Sequence, residues 1–333
     1  MPPPDDLLPF DRSRFRTKPL VGREHLVETA KFAKAVEPTA TAADFAASLP
    51  DFLGAKALRA LAAAIVAARA AGRPVVFGLG GHVVKVGLAP LFVDLLDRGY
   101  VQGFVMNGST AIHDAEIALA GSTSEDVGGG LFEGTYGNAD DTGRLFAAAA
   151  SAAARGATGF GAALGDALIA KEPRNPDLSL LVRARRAGVP VTVHVAVGTD
   201  TVHMHPACDG AALGAATHGD FLRLASLIET MDGGVYVNVG SAVLLPEVFL
   251  KAVALVHNVR ASAGDTSRVR LTTANFDFIR QYRPRVNVLE RPAERGYELT
   301  GHHEILIPLL RLAILAAEGG VARVAKPPAD GPR

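Results

Sequence analysis

The sequence predicts a doubly wound α/β fold with a mostly parallel sheet. Short β-branched or aromatic runs end in small-residue turns at least four times: 75–77 before Gly78, 104–106 before Asn107, 191–197 before Gly198, and 235–239 before Gly240. Each run is followed by residues that read as a helix, and strand–turn–helix repeated in this way is the signature of βαβ units. In such a sheet every turn brings polar groups to the same edge, where open α/β sheets bind ligands.

The chain has 333 residues, 49% hydrophobic and 20% charged, enough apolar surface for one large core. We expect an N-terminal arm over 1–20, a single α/β domain with N-terminal helices over 21–320, and a disordered tail over 321–333. Lys plus Arg and Asp plus Glu both number 34, and no basic block stands out, so a nucleic-acid partner is not expected. The absence of tryptophan argues the same way for stacking on single strands. The single cysteine, Cys208, allows no intrachain disulfide and suits a reducing compartment. The proline-rich, acidic start lacks the features of a signal peptide, and the apolar stretch 305–317 is broken by Pro308 and Arg311. A cytoplasmic protein without membrane contact is the expectation.

In the arm, Pro2, Pro3, Pro4, Pro9 and Pro19 block regular structure. The segment reads either as a solvated tail or as a strap across a partner subunit. Short helices are expected over 27–36 and 41–47, the second with Thr41 as N-cap, and an alanine-rich helix over 56–71 leads into the first strand. Residues 122–143 hold many glycines and acids with little apolar periodicity, and read as a surface excursion or a lid over a ligand. Helices follow over 144–154, 159–171 and 176–187, the last with Pro176 near its first position. A strand over 189–197 can tolerate Pro190 only at its start. Helices over 221–231, 246–258 and 304–317 complete the pattern, with strands at 235–239 and 271–277 and a further candidate at 286–289.

Four clusters can carry chemistry. The first is the turn Gly78, Gly80, Gly81, His82 and Lys85, a place for backbone to approach a phosphate or ribose, although its spacing is not G-x-G-x-x-G. The second is Asn107, Gly108, Ser109 and Thr110 ahead of His113, Asp114 and Glu116. Capping explains one hydroxyl; a histidine beside a carboxylate suits proton transfer near neutral pH. The third is Thr199, Asp200, His203, His205, Cys208 and Asp209. A His-x-His pair after a strand is also a way to place two zinc ligands, with Asp200, His113 or His302 as a third. The fourth is His302, His303 and Glu304. Gly240, Ser241, His218, Asp220 and Glu247 are further candidates; His25, His194 and His257 read as structural or surface residues.

Three of these stretches, FGLGGHVVKVG, FVMNGSTAIHDAEIALAG and NPDLSLLVRARRAGVPVTVHVAVGTD, resemble deoxyhypusine synthase and its prokaryotic relatives. Weaker likeness runs through the Gly240 turn and GHHEILIPLL, covering roughly 55–318. The resemblance implies a Rossmann-like NAD-binding fold and a homo-oligomer, dimer or tetramer. It implies cofactor contacts at Gly80, Gly81, His82, Lys85, Asn107, Gly108, Ser109, Thr110, Asp200 (or Asp209), Gly240, Ser241, His302 and His303, and a substrate-side histidine at His218.

The departures bear on the reaction. Leu244 and Leu245 stand where the family has its catalytic lysine, and Lys251 lies about two helical turns later. Leucine cannot form the imine that deoxyhypusine synthesis requires. The family's paired glutamates are Ile112 and His113 here. The expected function is therefore an NAD-dependent enzyme of transferase, oxidoreductase or lyase type that acts on a small amine or related molecule and does not make deoxyhypusine, with His113, Asp114 and His218 in catalytic roles. The alternatives are a metal-dependent hydrolase built on Asp200, His203 and His205, and a non-catalytic nucleotide-binding oligomer.

Overall fold

The computed structural model describes residues 8–156 and 158–324, with 320–324 described by their backbone. Residues 1–7 of the expected arm, with Pro2, Pro3 and Pro4, lie outside the described residues, as does the chain after Val324.

From residue 8 to 41 the chain buries no side chain, and its regular structure is two 3-10 turns, Arg12–Arg14 and Thr29–Lys31. The helix expected over 27–36 is reduced to the second turn. It has no side-chain cap and buries no residue, and packing is what stabilises short helices. Helix α1 (Ala42–Ser48) starts where expected: Thr41 and Asp44 form a reciprocal capping box. Helix α2 (Leu53–Ala70) buries Leu58, Leu61, Ala62, Ile65 and Val66, the i, i+3, i+4, i+7, i+8 stripe of a helix with one apolar face.

The sheet follows. It has six strands, β1 (Val75–Leu79), β2 (Gly103–Asn107), β3 (Val191–His194), β4 (Gly234–Val239), β5 (Leu271–Asp277) and β6 (Arg295–Thr300), all parallel in the order β3-β2-β1-β4-β5-β6. Phe77 of β1 is in register with Phe104 of β2 and Val237 of β4. Helices α3 (Gly81–Lys85) and α4 (Ala89–Asp97) connect β1 to β2. Five helices connect β2 to β3: α5 (Gly108–Ala120), α6 (Val127–Glu133), α7 (Asp140–Ala154), α8 (Phe160–Ala170) and α9 (Leu180–Ala187). Helix α10 (Gly210–Glu229) leads to β4 and α11 (Leu244–Ser262) to β5. The short α12 (Tyr282–Pro284) and a π-helical turn (Arg285–Glu290) precede β6, and α13 (His303–Val324) follows it.

Alternation along the strands divides the core in two. Val75, Phe77, Leu79, Phe104 and Met106 join α2, α4, α5, α8 and α13 in the larger cluster. Val76, Val105, Tyr236 and Leu271 join α10 and α11 in the smaller one, where Tyr236 and Phe249 stack with ring centroids 3.8 Å apart. Each fully buried Phe or Leu contributes about 2–3 kcal/mol by leaving water. Among the described residues no helix is long and apolar enough to cross a membrane.

Several boundaries differ from expectation. Residues 286–289 lie in the π-helical turn, not in a strand; Val288 packs inward from it beside β5, where Thr273 Oγ1 donates to its carbonyl. Strand β6 falls on 295–300, a polar stretch at the sheet edge that buries only Leu299, so it lacks the apolar run of a central strand. The expected helix over 176–187 is divided at Ser179, a buried cap with extended backbone, into a 3-10 turn (Pro176–Leu178) and α9. Helix α10 begins at Gly210, well before the expected 221, because Asp209 caps it.

Candidate functional site

The order of strands reverses at β1 and β4, and their carboxyl ends form the switch point of the sheet. Gly80 and Gly240 meet there. Gly80 N donates to Val239 O at 2.8 Å, and a Cβ on Gly80 would stand 2.0 Å from Gly240 O. Gly81 is likewise closed against α5: its Cβ would stand 2.2 Å from Ser109 Oγ. Gly80 lets backbone pack on backbone and Gly81 lets the Ser109 side chain close on it, so the tight-packing role outweighs the phosphate-cradling one at both. Gly240 turns with φ +67° and lies against His303 and Val83.

Around this turn stand His82, Phe278 and His303. The His82 ring lies 5.7 Å from that of His303 and 6.5 Å from Phe278. His303 is buried, and its Nε2 donates to Phe276 O at 3.2 Å. Its Nδ1 is buried without a hydrogen-bond partner. Burial holds this imidazole below its ordinary pKa, so it is neutral and Nδ1 is an unpaired acceptor. Asp277, at the end of β5, is also buried, and burial raises its carboxyl. Ser241 is buried, its Oγ accepting from Leu245 N at 3.2 Å and its carbonyl from Asn238 Nδ2 at 2.9 Å. His302 is exposed, with Nδ1 3.6 Å from Glu304, and stands apart from this group as vicinal side chains do.

At the second turn Asn107 caps α5 by accepting from Thr110 N at 2.8 Å. Thr110 is buried; its hydroxyl lies 2.6 Å from both Leu79 O and Asn107 Oδ1, tying α5 to the end of β1. Gly108 packs against Asp200, whose Oδ2 would stand 2.1 Å from a Cβ there. Asn107, Gly108 and Thr110 thus build the turn, while Ser109 and Asp200 reach the space beside it.

That space is a cleft of about 520 Å³ at the ends of β2 and β3, lined by Lys85, Ser109, His113, Glu116, Glu125 and Asp200 among others. Residues from 122–127 and 136–139 form its outer wall, so part of the excursion lines a cavity. His113 Nδ1 lies 2.7 Å from Thr123 Oγ1, and Thr123 Oγ1 in turn donates to Glu116 Oε2. Burial lowers the His113 pKa and Lys85 adds to this, while Glu116 opposes it. Burial raises the Asp200 carboxyl against the opposing pull of His203 and Thr199.

Two expected catalytic residues lie elsewhere. Asp114 is fully buried and accepts from Ser179 Oγ at 2.5 Å, Leu180 N at 2.7 Å and Leu181 N at 3.1 Å. It caps α9 from within α5 and does not face the cleft. Its periodic position next to His113 hid this, because neighbours on a helix point about 100° apart. His218 is exposed on α10, against Phe221, and is not among the residues that line the cleft. The metal alternative also separates. His203 Nδ1 accepts from Gly198 N at 3.1 Å and Asp200 N at 3.3 Å, whereas His205 Nε2 faces Asp140 Oδ1 at 3.2 Å. Among the described residues no three His, Cys, Asp or Glu side chains converge as a metal site.

Thr123, Glu125 and Asp277 were not singled out in the sequence. Thr123 and Glu125 sit in a stretch without periodicity, and only the fold brings them opposite His113. Asp277 ends a strand, a position whose meaning appears once the strand is known to border the switch point.

No protein-family model matches the chain, and no curated sequence matches it. Solved structures match in fold. AgrE without ligand superposes with a TM-score of 0.50 at 15% identity, over 78% of this chain and 32% of that one. AgrE with ornithine and NAD+ gives 0.49 at 14%, over 80% and 34%. A putative deoxyhypusine synthase from Entamoeba histolytica gives 0.47 at 11%, over 85% and 96%. The chain spans about a third of the length of AgrE. At these identities the likeness is one of architecture: an α/β fold of Rossmann-like type, with a six-stranded, all-parallel sheet flanked by helices.

Proposed function

We propose that the chain is an NAD-dependent enzyme that takes a small amine into the cleft beside the switch point. The observation that carries this reading is the lining of that cleft: His113 with three carboxylates, Glu116, Glu125 and Asp200, at the carboxyl edge of a Rossmann-like sheet. Carboxylates around a half-buried cavity attract a cationic amine, and a neutral imidazole among them is placed to accept its proton.

The cofactor reading rests on the switch point. His303 Nδ1 is a buried acceptor with no donor, which suits a hydroxyl or amide of a dinucleotide. His82, Gly240, Ser241 and His303 would hold the group. Bound NAD+ supplies a hydride acceptor; the chain's own residues bind the ammonium and remove its proton. Lys251 is not placed to form an imine with the substrate, because it is exposed and ion-paired with Glu247 on the outside of α11.

The test is thermal unfolding with NAD+, alone and with putrescine or spermidine. A ligand that binds the native state raises Tm by mass action. NAD+ is expected to raise Tm, an amine to raise it further, and reduced nicotinamide to accumulate when both are present. Unchanged Tm at millimolar NAD+ would overturn the cofactor assignment. We also propose a homo-oligomer, supported by exposed apolar residues on the N-terminal segment, among them Phe10, Val21 and Leu26. Sedimentation giving a monomer would refute it.

A further inference from the structure

We propose that Thr123 and Glu116 are positioning residues that fix His113 in its Nδ1–H tautomer, leaving Nε2 as the proton acceptor of the cleft. The inference rests on the reading of the cleft given above and extends it to two residues outside the first turn. A carboxylate accepts hydrogen bonds and does not donate them, so the single hydroxyl proton of Thr123 goes to Glu116 Oε2. The Thr123 oxygen is then an acceptor. The ring nitrogen 2.7 Å away, His113 Nδ1, must be the donor. Neutral imidazole carries one proton, so Nε2 is left with its lone pair.

The ring is fixed from other sides too. Glu116 is one helical turn from His113 on α5, and its other oxygen lies 3.5 Å from Thr142 Oγ1 on α7. The Cδ2 edge of the ring, next to Nε2, lies toward Gly81, where a Cβ would stand 3.3 Å from it. Lys85, Glu116, Glu125 and Asp200 are the charged groups that line the same cleft from α3, α5, the 122–127 wall and the β3–α10 connection. In the proton transfer the substrate N–H bond breaks and an Nε2–H bond forms. The imidazolium that results is stabilised by Glu116 across the threonine. Thr123 belongs to the outer wall, so the relay is complete only while that wall is in place over the cleft.

The tautomer can be read without substrate or cofactor, by nitrogen NMR of the imidazoles in the full-length 15N-labelled protein above the His113 titration. The native chain is expected to show a protonated Nδ1 and a bare Nε2. Thr123→Val is expected to lose this preference and Thr123→Ser to keep it. Glu116→Gln, whose amide can also donate to Thr123, is expected to weaken the Nδ1–H preference and lower the titration midpoint of His113. An Nε2–H tautomer in the native chain would overturn the proposal even if no variant folded. So would Thr123→Val with the native tautomer. Where amine-dependent turnover is measured, Thr123→Val is expected to lower kcat by about 100-fold with KM little changed, and serine to restore it. A relay that fails while NAD+ still raises Tm sinks this inference alone; the converse sinks the cofactor reading alone.

Discussion

Gly80 and Gly240 touch backbone to backbone across the ends of β1 and β4, so the two strand ends are joined through two residues without side chains. A methyl group on Gly80 would meet the Gly240 carbonyl at 2.0 Å, and neither backbone can rotate away as a side chain would. Gly80→Ala is therefore expected to destabilise the fold by about 1–3 kcal/mol or more, as overpacking does. Gly54 supplies the control: it lies in α2 with nothing near its missing Cβ. Gly54→Ala is expected to stabilise by up to about 1 kcal/mol through backbone entropy. Urea midpoints of the two variants measure the difference; equal midpoints would mean that β1 and β4 shift apart without cost.

Asp114 and Asp220 are matched buried staples. Asp114 caps α9 from α5; Asp220 on α10 accepts from Phe160 N at 2.8 Å, Gly161 N at 3.0 Å and Val193 N at 2.7 Å, tying α8 and β3 to the opposite layer. Burial outweighs these hydrogen bonds and raises both carboxyls, Asp114 from 3.8 to about 6. A raised value means that the folded state holds its proton longer than the unfolded one. The contribution is full below pH 3.8 and is lost as pH rises through about 6. For Asp114 it amounts to something on the order of 3 kcal/mol. Asp114→Asn stays neutral, so its stability relative to the native chain is expected to improve as pH rises from 4 to 7, on top of a constant cost for imperfect geometry. Denaturation across that range checks the slope; parallel curves would show that the carboxylate is ionised throughout.

The parallel sheet was legible because central strands must be apolar on both faces and end in turns, and residues 75–77, 104–106 and 235–239 display this directly. Strand β6 was not, because an edge strand such as 295–300 is paired on one side and tolerates Arg295, Gly296 and Glu298. The cleft was half legible. His113, Lys85, Ser109 and Asp200 follow strands in the sequence and do line it. Asp114 and His218 have equally suggestive compositions, but direction around a helix, not residue type, decides what a side chain faces. Thr123 acquires its role only from a contact between a helix and a connection without periodic pattern, which no local signal encodes.

His194 ends β3 and is 2% exposed, with Nε2 2.9 Å from Thr192 Oγ1. Burial drives its pKa from 6.5 to about 3. The folded state then binds fewer protons than the unfolded state between those values, so its contribution is present above pH 6.5 and is lost as pH falls toward 3. The loss is on the order of 5 kcal/mol when complete, and His113, His257 and His303, also lowered by burial, act in the same direction. His194→Gln is expected to be less stable than the native chain at pH 7.5 and to close the gap by pH 4.5. Tm measured over that range is the check; a constant gap would place the histidine in contact with water.

His203 shapes the connection after β3, where its Nδ1 gathers the amides of Gly198 and Asp200. That bonding leaves the proton on Nε2, which is buried without a hydrogen-bond partner, 3.7 Å from Asp200 Oδ2. The two side chains lie side by side, with Asp200 over Gly108 and at the cleft wall. His203→Ala removes the acceptor for two backbone donors that water can reach, at a cost of about 1 kcal/mol. The amides of Gly198 and Asp200 are expected to exchange faster, and Asp200 to lose its fixed place. His205 Nε2 makes its contact with the exposed Asp140, so the loss of that contact in His205→Ala is expected to cost under about 1 kcal/mol. Zinc is expected to change Tm in neither variant nor in the native chain. A zinc-dependent rise in Tm that disappears in both would show that the two imidazoles swing together, and would restore the metal reading of this loop.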